Sequence, residues 1–110
     1  MRFKNNYLLR YVMILFFTFL TSVVFAVNGE VVFKKSGCDY FIVETNMGYA
    51  LLEWYGGNDP DKEDIIIGDF ESYGMKDIYN NTAESELRVY VEEYWLSWED
   101  ALEKYNEKCN

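Results

Sequence analysis

The chain has 110 residues, of which half are hydrophobic and 26% charged, with 10 basic side chains against 19 acidic ones and no histidine. That length supports one domain. The net charge of −9 works against binding nucleic acid or anionic lipid, and the missing histidines remove the usual general base and the usual transition-metal ligand.

The N-terminal segment has the layout of a secretory signal peptide. Arg2, Lys4 and Arg10 form a basic region free of acids, Tyr11 to Val24 (YVMILFFTFLTSVV) is apolar, and Val24-Phe25-Ala26 supplies a cleavage site. The rival is an uncleaved anchor, but the apolar run from Tyr11 to Val27 is short for a span of about 20 residues and is diluted by Thr18, Thr21 and Ser22. A lipoprotein site at Ser36-Gly37-Cys38 is disfavoured by Lys35 and by its distance from the hydrophobic segment. Residues 1–26 are therefore expected to be removed, leaving residues 27–110 as a secreted or periplasmic domain without stable membrane association. Three of the ten basic residues leave with the signal, so the remainder carries 7 − 19 = −12. Such a surface favours solubility and suits cationic partners. The two cysteines, Cys38 and Cys109, read as one disulfide in an exported chain.

Along the domain, Val31-Val32-Phe33 is a short β-prone run stopped by Lys34-Lys35-Ser36-Gly37. Asp39 to Thr45 alternates Phe41, Val43 and Thr45 against Tyr40, Ile42 and Glu44. Asn46-Met47-Gly48 is a turn, with glycine suited to positive φ. Tyr49 to Tyr55 returns with Ala50, Leu52 and Trp54 on one face and Tyr49, Leu51, Glu53 and Tyr55 on the other, which predicts a hairpin. Gly56 to Asp61 is a loop by composition, and Ile65-Ile66-Ile67 predicts a buried strand, with Gly68 marking a bend or bulge. Met75 to Tyr79 is a weaker strand. Leu87, Val89 and Val91 then alternate with Arg88, Tyr90 and Glu92, and the Glu92-Glu93 pair predicts an end or a bulge.

The period changes after Ser97, which suits an N-cap three residues before Asp100. Trp98, Ala101, Leu102, Tyr105 and Cys109 recur at helical spacing, predicting an amphipathic helix over 97–109 with Lys104 and Lys108 near its C-terminus. About five strands and one terminal helix fit a small SH3-like or OB-like antiparallel barrel, mainly β; the alternative is an α+β open sheet covered by the helix.

The strings SGCDYFIVET, GYALLEWYGG, DIIIGDFESYG and ELRVYVEEYWLS resemble a group of small exported bacterial proteins with no assigned function. The resemblance spans nearly all of residues 27–110. It implies a bacterial envelope or secreted location and brings no activity, ligand or site residue.

The acidic loop Asp59-Pro60-Asp61-Lys62-Glu63-Asp64 invites a calcium reading, but Asp64 and Phe70 stand where the twelve-residue calcium loop needs glycine and a bidentate glutamate. A solvated loop fits better, and no metal or cofactor is expected. Glu44, Glu53, Asp69 and Glu71 could supply a carboxylate pair for hydrolysis, yet a domain this small rarely has the cleft such chemistry needs. No Ser-His-Asp set or phosphate loop can be assembled. Asn80-Asn81-Thr82 matches a glycosylation sequon. Residues 27–110 keep 8 of the 10 tyrosines, all but Tyr7 and Tyr11, with all three tryptophans and with Phe33, Phe41 and Phe70, more rings than one small core buries easily.

These features predict a non-enzymatic binding module with an acidic, tyrosine-rich face: Tyr49, Leu51, Glu53 and Tyr55 with Asp59, Asp61, Glu63 and Asp64. The expected partner is a protein, a cationic peptide or a cell-wall glycan. The alternatives are an inhibitor of a secreted hydrolase and a minimal carboxylate hydrolase.

Overall fold

In a computed structural model, residues 26–110 are described; the signal-peptide expectation for residues 1–26 falls almost wholly outside them. Six strands precede one helix: β1 (Val27–Lys34), β2 (Tyr40–Thr45), β3 (Gly48–Gly57), β4 (Ile65–Gly68), β5 (Gly74–Asn80), β6 (Ser85–Leu96) and α1 (Trp98–Cys109). The strands close into an antiparallel barrel in the order β1-β2-β3-β6-β5-β4. Two three-stranded meanders are joined edge to edge, β3 to β6 and β1 to β4, so the open-sheet alternative is set aside. The expected strand count of about five becomes six, because the short run Val31–Phe33 is part of a full strand, β1. It runs beside β2 from Glu30↔Glu44 to Lys34↔Phe41, and beside β4 from Val27↔Gly68 to Glu30↔Ile65.

Alternation fills the barrel. Val31, Phe41, Val43, Ala50, Leu52, Ile66, Ile78, Leu87, Val89 and Val91 point inward and are buried, and Phe70 enters from the β4–β5 connection. Each such side chain contributes roughly 1.5–3 kcal/mol by leaving water, an upper-bound figure because the unfolded chain is itself partly compact.

The hairpin expected around Asn46 and Met47 forms with Thr45 paired to Gly48, whose φ of +123° glycine adopts at little cost and other residues do not. A Cβ there would also lie 2.9 Å from the Leu96 carbonyl oxygen. Gly68 ends β4, where a side chain would collide with Ile78. It serves close approach rather than a bulge.

A second core lies outside the barrel. Ile42 and Leu51 are direct partners across β2 and β3, and both are buried beneath Ala101 and Tyr105 of α1. Bulging near Val32 brings Val32 and Phe33 into the same cluster. The helix begins as its sequence predicts, with the Ser97 hydroxyl accepting from the Asp100 amide at 3.2 Å. Phe33 meets Tyr105 and Trp98 edge-on, with ring centroids 4.9 and 6.0 Å apart, and Tyr49 packs against Trp98 at 5.3 Å. Cys38 and Cys109 form the expected disulfide, which ties the end of α1 to the start of β2.

The sequon asparagine is buried, while Asn81 and Thr82 are exposed. Asn80 is fully inside, its amide donating to Asn58 Oδ1 and Asp64 Oδ2 at 2.8 Å each. Its side-chain oxygen accepts from the Thr82 and Ala83 amides. Asn80 is therefore a structural residue, and its amide nitrogen is not available to a glycan in the folded protein.

Candidate functional site

Helix α1 divides the outward face of β3. Leu51, only 1% exposed, lies under the helix and is corrected from contact residue to core, and Tyr49 is half-buried against the same helix cluster. Glu53 and Tyr55 continue beyond the helix and remain at the surface, Tyr55 with 54% of its area exposed.

The acidic loop turns elsewhere. The Glu63 amide donates to the Val31 carbonyl at 2.7 Å, and the Val31 amide donates to the Asp64 carbonyl at 2.9 Å, which laces the loop to β1. Asp59 pairs with Lys34, and the Asp64 carboxylate accepts from Asn80 and from the Asp61 amide. Asp59 and Asp61 line a groove with the turn between β1 and β2, whereas Tyr55 lines a shallow groove with Arg88 and Asp77. The eight residues expected to form one surface are thus distributed over three places. Only Glu53 and Tyr55 of the eight share an open stretch of sheet.

Sheet register supplies new neighbours for those two. Tyr40 stands opposite Glu53, Glu53 opposite Tyr90, and Tyr90 opposite Met75. This is one row of outward side chains across β2, β3, β6 and β5. Tyr55 adds to it, its ring centroid 6.4 Å from that of Tyr90, and Glu92 adds a second carboxylate. Alternation along β6 already puts Tyr90 and Glu92 outward. The pairing of β3 with β6, which brings them beside Glu53, cannot be read from local pattern.

Electrostatics bind the row together. Burial raises the Tyr40 phenol strongly, helped by its hydrogen bond to Glu53 and by the charges of Glu53 and Glu92. The Glu53 charge raises Tyr55, with burial and Glu92 adding to the effect. Both phenols hold their protons more firmly than a free tyrosine does and can donate at neutral pH. Among the described residues no salt bridge engages Glu53 or Glu92, while Lys108 lies over the Tyr40 ring at the helix end of the row, 5.8 Å from its centroid. Arg88 and Asp77 form an ion pair at 2.9 Å beside the row, which holds the Asp77 carboxyl below its usual range.

The four carboxylates considered for hydrolysis occupy three places, and only Asp69 and Glu71 line one pocket together. Glu44 faces Glu30 across β1 and β2, and Glu53 belongs to the tyrosine row. Asp69 and Glu71 lie on the β4–β5 connection, where the Ser72 hydroxyl donates to Asp69 at 2.7 Å and Lys76 pairs with it at 3.3 Å. The Ser72 hydroxyl, followed by the Glu71 amide and Lys76, lowers the Asp69 carboxyl against the opposing effect of burial. Among the described residues no three potential metal ligands come together. No family model matches the chain, and neither a curated protein nor a solved structure shows significant similarity to it.

Proposed function

We propose that the protein is a small exported binding module whose acidic tyrosine face meets a basic segment of a protein or peptide. The observation that carries this is the row Tyr40–Glu53–Tyr90–Met75, with Tyr55 and Glu92 beside it, which runs outward from the helix edge at Tyr40 to exposed Met75 and Tyr55. Tyrosine rings supply contact area and phenol donors, and the carboxylates select and steer a cation. The disulfide is consistent with an oxidising compartment.

A second reading, an inhibitor of a secreted hydrolase, draws on loop 59–64. Its hydrogen bonds to β1 hold it in one shape, which lowers the entropy cost of entering a basic cleft.

Titration of the purified protein with a synthetic basic peptide tests the first reading. Binding is expected to weaken between low and physiological salt, where exposed charges are screened beyond about 8 Å. Tyr55→Ala should weaken it at any ionic strength, and Glu53→Gln with Glu92→Gln mainly at low salt. Asp61→Asn with Glu63→Gln should leave this peptide unaffected, because the loop does not adjoin the row. Absence of binding, or a Tyr55→Ala protein that binds normally, removes the proposal.

A further inference from the structure

Strand β6 carries an irregularity near its end. Between the pairs Leu51↔Glu93 and Tyr49↔Leu96, β3 advances two residues and β6 advances three. The extra residue sends three consecutive side chains to three places. Tyr94 turns in against the barrel core and Leu96 packs into the helix cluster, while Trp95 stands in solvent with 58% of its area exposed. Trp95 has φ +58°, a left-handed conformation that a bulky residue rarely adopts. Among the described residues the other non-glycine positions with positive φ, Glu63 and Glu84, sit in turns; Trp95 alone of the three sits in a strand. A strained, exposed tryptophan points to a role outside folding.

Its surroundings define that role. The Trp95 ring meets Tyr94 edge-on at 5.3 Å, and Tyr94 meets Tyr73 at 4.9 Å with the planes tilted by 52°. Tyr73 is 60% exposed, so a half-buried ring has two open rings against it at different angles. The charges nearest in sequence, Glu71, Glu92 and Glu93, are acidic. Lys76 is engaged with Asp69, and Lys104 with Glu93. Among the described residues, lysines lie over Phe33 and Tyr40 but none lies over Tyr73, Tyr94 or Trp95. Negative ring faces in an acidic setting complement a cation. Of the two cationic side chains, the planar and weakly hydrated guanidinium stacks on such rings better than a strongly hydrated ammonium.

We propose that Tyr73, Tyr94 and Trp95 form a cation–π site for an arginine side chain of the basic partner. This rests on the cationic-partner reading and adds to it a residue preference and a second contact region.

Two synthetic peptides of equal length and charge, one built on arginine and one on lysine, test it against the wild type, Trp95→Gly and Glu53→Gln/Glu92→Gln. The wild type should prefer the arginine peptide. Trp95→Gly should weaken that peptide by about threefold to thirtyfold and the lysine peptide clearly less, so that the arginine preference shrinks. Its thermal midpoint should not fall, because glycine adopts this backbone freely. Should Trp95→Gly fold poorly, Tyr73→Ala, outside the strands, gives the same comparison. If Trp95→Gly and Tyr73→Ala both keep the arginine preference while the carboxylate variant weakens both peptides, this site is wrong and the tyrosine face stands. If the wild type binds neither peptide, the cationic-partner reading itself fails. Binding of a neutral oligosaccharide that is lost in Trp95→Gly, with no peptide bound, would place a sugar on these rings and overturn the arginine assignment.

Discussion

Tyr40 lies directly opposite Glu53 across β2 and β3, and that carboxylate helps to raise its phenol. Burial and that carboxylate hold the phenol's proton well above the ordinary value of 10.0, and the same carboxylate is the main cause of the rise at Tyr55. A raised folded-state pKa means that the folded protein holds a proton the unfolded chain gives up. The associated stability is complete below pH 10.0 and is lost progressively as the pH climbs towards the folded value. Denaturant midpoints should therefore fall above that pH, and Tyr40→Phe should flatten the fall. Glu53→Gln should return Tyr55 nearer to its ordinary value while Tyr40, held chiefly by burial, stays raised; ultraviolet titration of the phenolate band reads both.

The same pair shows what the sequence discloses and what it withholds. Alternation from Tyr49 to Tyr55 assigns each side chain to the correct side of β3, and Phe41, Val43, Ala50 and Leu52 do fill the barrel. Which part of the outer side the helix covers is a long-range matter. Two signals bear on it: β2 is apolar on both faces at Phe41-Ile42-Val43, as a strand covered on both sides is, and Cys38 draws the end of α1 to the start of β2. Together they place the helix over Ile42 and Leu51. Tyr40, Tyr90, Glu92 and Met75 escape sequence reasoning for a different reason, since their proximity to Glu53 depends on non-local pairing of β3 with β6. The irregularity near Glu93 is legible as a break in alternation, but the left-handed Trp95 is not.

The disulfide is expected to hold the helix on the barrel. Its Cα atoms are 5.8 Å apart and close a loop of 71 residues, which the chain-entropy model values at about 4 kcal/mol. A 12-residue helix has little stability alone. Cys38→Ser/Cys109→Ser should lower the unfolding free energy by about that amount and increase exchange of the α1 amides before those of β3 and β6. Equal stability with and without the bond would mean that packing of Ala101 and Tyr105 alone seats the helix.

Tyr105 carries a second tie between helix and barrel. Its ring is fully buried, and its hydroxyl accepts from the Lys35 backbone amide at 2.9 Å. Tyr105→Phe keeps the ring contact with Phe33 and leaves that amide without its partner, for a loss of about 1–2 kcal/mol. Tyr105→Ala removes the ring as well and should cost about 3–5 kcal/mol, in line with large-to-small aromatic truncations. Denaturant unfolding of both variants separates the hydroxyl from the ring, and a neutral Tyr105→Phe would show that water satisfies the Lys35 amide.

Asn80 is the polar counterpart of these apolar ties. Its two amide hydrogens and its oxygen join the end of β5 and the turn after it to Asn58, just past β3, and to Asp64 of the acidic loop. Every side-chain polar atom of the residue is satisfied inside the protein, so removing it strands partners on several segments at once. Asn80→Ala should cost about 2–4 kcal/mol, the sum of lost hydrogen bonds and newly unsatisfied groups. Asn80→Asp, equal in size, should be worse at neutral pH. It places a carboxylate against the Asp64 carboxylate and the Asn58 oxygen, and it turns two donated bonds into repulsion. Acid should partly rescue the aspartate variant, since a protonated side chain can donate again, and it should not rescue the alanine variant. Unfolding of the two proteins at pH 7 and at pH 4 measures this; an aspartate variant as stable as wild type at pH 7 would mean that the amide does not join these segments.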